Sequence, residues 1–295
     1  MTAPVFRRLA IIGAGLIGGS IARRNRAGAA LAAEIVVSAQ SPETRARVRE
    51  LGFADSVAET PEEAVRGADG VILCIPVGAY AAVMRRIAPH LQPGCILSDV
   101  GSTKGSVIRD LLPLLPPGVQ LVPAHPMAGT EHSGPDSGFP TLFEGRWCIL
   151  TPLPDSDPAA VERVREFWRR CGSQVESMDA ATHDKVVAIV SHLPHLIAFT
   201  ICGTADDLSE ETRESVLKFA ASGFRDFTRI AASDVAMWRD VFLNNREAVL
   251  EMLARFTEDA QAFGRAIRWG EEEFIVDRIQ RGRKIRRSLI ERKQA

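Results

Sequence analysis

The chain has 295 residues, a length that suggests roughly two domains, and its 46% hydrophobic and 25% charged residues are ordinary for a soluble globular protein. Lys and Arg total 36 against 37 Asp and Glu, a formal net charge of -1, which excludes nucleic-acid binding driven by bulk positive charge. Tyr80 is the single tyrosine and Met84 stands four residues on, so a dehydrogenase built on a Tyr-x-x-x-Lys acid is excluded too.

The N-terminus carries two arginines but only about four apolar residues, 9–12, before Gly13, whereas a secretory signal needs about 7–15. No uninterrupted apolar run approaches the roughly 18 residues of a membrane span. Cys74, Cys95, Cys148, Cys171 and Cys202 are scattered with no Cys-x-x-Cys pair, which fits reduced thiols better than a disulfide framework. The expectation is a soluble, cytoplasmic protein with no membrane or nucleic-acid partner.

Residues 1–177 alternate short apolar runs with helical patterns. The first strand, 9–12, is followed by Gly13-Ala14-Gly15-Leu16-Ile17-Gly18, which opens a helix over 16–27. The first glycine permits a tight turn, the second lets backbone approach a pyrophosphate, and the third allows close helix–strand packing. The helix N-terminus adds free N–H groups and a positive dipole end. In this strand–turn–helix context the motif reads as a dinucleotide site formed by Gly13, Gly15, Leu16, Ile17 and Gly18.

The second strand, 35–37, ends in Ser38, Ala39, Gln40 and Ser41 before a helix over 41–51, with no carboxylate to hold a ribose 2′-hydroxyl. Ser38 and Gln40 can donate hydrogen bonds, and Arg45 or Arg24 can supply charge, although both arginines also read as solvated helix residues. Ser38, Ala39 and Gln40 are therefore expected at the cofactor, with NADP favoured over NAD and dual use left open. The run 70–75 is a strand whose end, Ile75 and Pro76, lies on the nucleotide side ahead of a helix over 80–90.

Strands over 95–99 and 120–123 lead into the polar loops 99–105 and 125–131, with a helix over 104–112 between them. Strand carboxyl ends face the ligand crevice of an open α/β sheet, so both loops should meet the nicotinamide end of a bound cofactor. His125 can take a proton near neutral pH, and the Ser102 hydroxyl can orient it. A lone histidine after a strand is more often structural, but a glycine-rich loop of more than a dozen residues follows this one, and such loops are usually functional. A strand at 147–151, a helix at 158–171 and a short strand near Val175 finish the domain. Apolar runs separated by helices indicate a mainly parallel, Rossmann-type sheet covered on both faces.

After about Met178 strands vanish. Residues 178–295 read as an all-α domain with helices near 179–203, 209–222, 233–268 and 271–293, apolar on more than one face, which a partner subunit would cover in a homodimer. Asp184, Ser191 and His195, spaced 7 and 4 apart, fall within about 40° on one helix. Such a stripe is costly to bury unpartnered, so it serves either substrate or a structural network with Asp184 on a neighbouring helix. Pro194 removes a backbone bond and bends this helix. In a charged loop beyond it, Arg229 suits a bidentate grip on a carboxylate, or an ion pair with Asp226. The stretch 278–293 holds eight basic residues and one acid, balanced by Glu271, Glu272, Glu273 and Asp277, and reads as a solvated face.

Together, GAGLIGGS, ADGVILCIPV, SDVGSTKG, HPMAGTE, THDKVVAIVSHLPH and GFRDFTRIAASDVAMWRDVF resemble the prephenate/arogenate (cyclohexadienyl) dehydrogenase family, in family order across nearly the whole chain. The resemblance implies NAD(P)-dependent oxidative decarboxylation, giving 4-hydroxyphenylpyruvate from prephenate or tyrosine from arogenate, by a homodimer built through the helical domain. It implies that His125 is the catalytic histidine and Ser102 the serine near the nicotinamide. It further implies that His195 and Arg229 hold the substrate, and that Glu131, Asp184, Ser191, Asp226 and Trp238 border or support the site. No metal is expected, since aromatisation drives the decarboxylation. Two alternatives remain: another Rossmann dehydrogenase acting on a 3-hydroxy acid through a helix lysine such as Lys185, and a non-catalytic NAD(P)-binding sensor.

Overall fold

Six short strands form one parallel sheet in a computed structural model that describes residues 3–130 and 132–292. The strands are β1 (Phe6–Ile12), β2 (Ala32–Ser38), β3 (Ser56–Ala58), β4 (Gly70–Leu73), β5 (Ile96–Asp99) and β6 (Gln120–Leu121), in the order β3-β2-β1-β4-β5-β6. Leu9, Ala10, Ile11 and Ile12 of β1 are all buried, because helices cover both faces. The crossovers carry α1 (Leu16–Arg24), α2 (Pro42–Leu51), α3 (Pro61–Val65), α4 (Tyr80–Ile87) and α5 (Gly105–Leu111). One core gathers Phe6, Ile21 and Ile35 and the other Val71, Tyr80, Met84 and Leu97. The strand order reverses between β1 and β4, which opens a crevice at the strand carboxyl ends.

The strand expected at 147–151 does not join this sheet. A second sheet holds β7 (Ala124–Pro126), β8 (Trp147–Leu150) and β9 (Gln174–Ser177), with β7 antiparallel to β8, and α6 (Pro158–Cys171) packs Phe167 and Trp168 into the first core. Proline explains the break. Val122 N–H still donates to Leu97 O at 2.9 Å, but Pro123 has no N–H, and its carbonyl accepts from Thr151 N at 3.0 Å instead. The chain thereby changes sheets at Pro123, two residues before His125.

Beyond β9 the chain is helical. α7 (Ala180–Val187) passes through a wide π turn, Ala188–His192, into α8 (Leu193–Asp206). Pro194 leaves the carbonyl of Val190 without its usual donor, and the helix widens there. By length and composition Ala180–Asp206 is long and apolar enough to cross a membrane, yet His183, Asp184 and His192 on it are buried within the protein. α9 (Glu210–Phe219), α10 (Ser222–Thr228) and α11 (Val235–Asn244) follow, so the expected loop before Arg229 is largely helix.

Contacts divide the chain into one compact unit ending at Arg246 and a second beginning at Glu247. The second consists of α12 (Arg246–Trp269) and α13 (Glu272–Glu291), joined through Gly270 at φ +69° and tied by an Arg278–Asp259 ion pair of 3.2 Å. Phe256, Ile267, Trp269 and Ile285 on these helices are exposed.

Candidate active site

The nucleotide crevice is made of backbone. Gly13 has φ +110°, and a Cβ there would stand 2.2 Å from Cys74 O and 2.9 Å from Ile75 Cγ2. A Cβ on Gly18 would stand 2.0 Å from Gly13 O, so both glycines are required by close packing. Gly15 has no atom within 4 Å of a Cβ position, and it begins α1 with no side-chain cap. Open space beside uncapped helix N–H groups fits a pyrophosphate. Leu16 and Ile17 form the first turn of α1, and beyond β4 Cys74 and Ile75 lie beside Gly13, with Pro76 next in the chain.

Ser38 ends β2, buried, and its carbonyl accepts from Gly13 N at 2.8 Å; Ala39 is buried and Gln40 exposed. Arg45 Nη1 donates to the carbonyls of Ala39 and Gln40, each at 2.9 Å, while the same guanidinium pairs with Glu59 at 3.0 Å. Arg24 points elsewhere, to Arg170 O and Glu144. Of the two arginines considered from sequence, Arg45 is the one at the β2 end.

The loop after His125 is stitched to the helices of that crevice. Arg23 of α1 donates to Pro135 O at 2.9 Å, Ser20 Oγ accepts from Phe139 N at 3.0 Å, and Arg47 of α2 pairs with Asp136.

His125 itself lies on β7, opposite Ile149, and its ring nitrogen Nδ1 meets His183 Nε2 at 2.9 Å. His183 Nδ1 in turn meets Asp184 Oδ1 at 2.8 Å. A carboxylate can only accept, so His183 carries its proton on Nδ1 and accepts at Nε2. His125 then carries its proton on Nδ1, and its Nε2 lone pair has no hydrogen-bond donor among the described residues. Asp184 is held by Lys104 N at 2.7 Å and Gly105 N at 2.8 Å, the first N–H groups of α5. Burial raises its pKa, but the His183 and backbone hydrogen bonds outweigh that and hold the carboxyl below its ordinary value. Burial, His183, Lys104 and His192 together push the His125 imidazole well below 6.5, so it is neutral at pH 7.

A second cluster adjoins the first through Asn245. Its side-chain amide donates to Asp184 O at 2.9 Å and to His192 Nδ1 at 3.0 Å. Burial pushes His192 down to about 4. The His192 ring meets Trp238 edge-on with centroids 5.9 Å apart, and His195 stacks on Trp238 at 3.7 Å. His195 Nδ1 donates to Ser191 O at 2.9 Å, which leaves its Nε2 as an acceptor. Burial lowers the His195 pKa, and the positive charge of Arg229 adds to that effect.

Among the predicted residues, His125 and Asp184 belong to one hydrogen-bonded chain, and Ser191, His195 and Trp238 to one cluster near Arg229. Asp184 does bond a neighbouring helix, as the structural alternative held. Ser102 is half-buried and makes no side-chain hydrogen bond among the described residues; His183, not Ser102, orients the His125 ring. Arg229 and Asp226 are exposed and unpaired with each other, so the ion-pair alternative fails. Glu131 lies outside the described residues. Sequence reasoning passed over His183, His192, Asn245 and the buried Asp99–Lys104 pair. THDK and SHLPH did contain the two histidines, but the straight-helix phase gave Ser191 the place that the π turn gives to His192.

Known proteins bear on these residues. Residues 23–177 match the family described as prephenate dehydrogenase, nucleotide-binding domain, and 179–281 match prephenate dehydrogenase, dimerization domain. The chain is 38% identical over 287 residues to a cyclohexadienyl dehydrogenase of Zymomonas mobilis, covering 97% of each. It is 35% identical over 252 residues to a prephenate dehydrogenase of Bacillus subtilis, covering 84% of this chain and 66% of that one. The crystal structure of prephenate dehydrogenase from A. aeolicus, in complex with hydroxyphenyl propionate and NAD+, is similar at a TM-score of 0.87 and 33% identity, covering 96% of this chain and 98% of the other.

Proposed function

The chain belongs to the prephenate dehydrogenase family, and from that premise we infer that it catalyses the NAD(P)-dependent oxidative decarboxylation of prephenate, arogenate or both. A bound oxidised nicotinamide supplies the hydride acceptor. His125 Nε2 takes the proton of the ring 4-hydroxyl as hydride leaves the carbinol carbon. The ring carboxylate departs as carbon dioxide, and the electrons of its carbon–carbon bond complete the aromatic ring, with the charge ending on the former carbonyl oxygen. His125 then returns its proton to that oxygen. A base positioned in this way contributes about 10²–10⁴-fold, and Asp184 and His183 support it by fixing its tautomer. The observation that carries this reading is the Asp184–His183–His125 chain, which ends in one bare imidazole nitrogen.

Arg229 and His195 hold the substrate side chain, Arg229 through a carboxylate, while Ser191, Trp238 and Asp226 support or border that subsite. Ser102 serves the nicotinamide end. Gly13, Gly15, Leu16, Ile17, Gly18, Ile75 and Pro76 cradle the pyrophosphate side, and Ser38, Ala39 and Gln40 meet the adenosine ribose. NADP is favoured because β2 ends without a carboxylate and brings Arg45 to its loop; the Arg45–Glu59 pair tempers that charge, which leaves room for NAD. The protein acts as a cytoplasmic homodimer, with residues 1–177 forming the nucleotide domain and 178–295 the helical substrate and dimerisation domain. The exposed apolar residues Val190, Leu217, Phe219, Val235 and Trp269 support a partner on that domain.

The direct test is spectrophotometric, with prephenate and arogenate each offered with NAD and NADP. NAD(P)H formation in at least one combination is expected, most strongly with NADP. Absence of NAD(P)H in all four would overturn the assignment.

A further inference from the structure

We propose that Lys104 and Asp99 form a buried positioning pair for His125, which fixes the backbone that carries the base and sets the electrostatics around its ring; this rests on the reading of His125 as the base. Both side chains are fully buried, with Nζ 2.5 Å from Asp99 Oδ2. A buried ammonium costs several kcal/mol unless it is paired and hydrogen-bonded, so its surroundings must satisfy it. They do so through one residue. Lys104 Nζ donates to Ala124 O at 2.6 Å, and Ala124 N donates to Asp99 Oδ1 at 3.1 Å. The pair thus grips both polar groups of the residue that precedes His125, at the point where Pro123 has taken the chain out of the main sheet. Gly101 N at 2.8 Å and the Tyr80 hydroxyl at 3.3 Å complete the shell around Asp99.

Lys104 reaches His125 by a second route. Its own N–H, with that of Gly105, holds the Asp184 carboxylate that ends the His183–His125 chain. One residue therefore anchors the backbone beside the base with its side chain and the ring of the base with its main chain.

The titratable groups facing His125 are His183 and Asp184 on α7, His192 in the π turn, the Cys148 thiol on β8, and Lys104 with Asp99 behind β7. After burial and His183, the Lys104 charge is the next contribution that disfavours imidazolium at His125. Removing a nearby positive charge makes protonation easier. The neutral base is then lost at higher pH, so the acid limb of kcat/KM moves upward.

The test compares Lys104→Met, which leaves Asp99 unpaired, with the double variant Asp99→Asn/Lys104→Met, which removes both charges at similar volume. Where the single variant does not fold, the double variant carries the test. We expect kcat to fall roughly 10–100-fold with cofactor Kd unchanged. The acid limb should rise in both variants, further in the single one, and the NMR titration of the His125 ring in the cofactor-free protein should rise in parallel. Folded variants whose acid limb and ring titration stay at the wild-type pH would overturn the proposal even if kcat falls, because a purely structural pair predicts that result. Turnover surviving in His125→Asn would overturn the reading of His125 as base, a failure distinguishable from that of the pair.

Discussion

The nucleotide crevice and the proton-handling site share the carboxyl end of the sheet but are made of different material. In the crevice the working groups are main-chain N–H groups and empty volume around Gly13, Gly15 and Gly18, and an added methyl is what the architecture cannot admit. Around His125 the working groups are side chains from β7, α7 and the 99–105 loop, linked end to end, and a missing atom is what it cannot admit. Recognition by backbone tolerates exchange of side chains that point away from it. A relay of imidazoles has no spare member. The two regions should therefore fail separately, one in binding and the other in turnover.

The largest effect that would break or sharpen this contrast is expected from Asp184→Asn. The amide can donate to His183, which reverses the tautomer order along the chain and places a proton on the His125 nitrogen that must accept one. A loss of roughly 10²–10⁴-fold in kcat, with cofactor Kd held, is expected from stopped-flow and calorimetric measurement. Gly18→Val should show the reverse pattern. Its side chain collides with Gly13 O, spoils the α1 N-terminus, and weakens cofactor binding about 100-fold through loss of charge-assisted hydrogen bonds, while the His125 ring titration stays in place. Arg229→Ala should raise KM roughly 10-fold, the worth of a hydrogen-bonded charge, and leave kcat near wild type; an unchanged KM would remove Arg229 from the substrate clamp.

A smaller effect is expected on stability. His192 is held down to about 4 by burial, against about 6.5 when unfolded. A depressed folded pKa means that the unfolded chain binds the proton more readily. This contribution is therefore complete above pH 6.5 and is lost as pH falls toward 4, to the extent of roughly 3 kcal/mol. His125 and His183 are depressed for the same first reason, burial, and act in the same direction. Chemical denaturation at pH 7 and pH 5 should show the decline, and a smaller decline in His192→Gln would assign that share to His192.

What could be seen in advance follows the same division. The crevice was legible because a backbone site needs contiguous residues, and Gly13 to Gly18 sit between a strand and a helix as the motif requires. Five of the six main-sheet strands were legible as apolar runs, whereas β3, with three residues and an exposed start, carries too little pattern. β7 was hidden because its fold depends on Pro123 leaving one sheet and pairing with a strand more than twenty residues later. The His125 chain was half legible. His125 stood out by its loop, but its partner His183 comes from 58 residues away, and helical phase was misleading once the helix widened before Pro194. Lys104 was hidden for a plainer reason: lysine is seldom buried, so a lysine in a polar loop reads as solvated.

The central claim, that His125 performs the proton transfer while the cofactor is held apart from it in the nucleotide crevice, is tested most directly in His125→Asn, by measuring single-turnover NAD(P)H formation alongside cofactor Kd. Turnover should disappear while Kd stays within about twofold of wild type. A loss of cofactor affinity in step with turnover, or NAD(P)H formation at the wild-type rate, would contradict it.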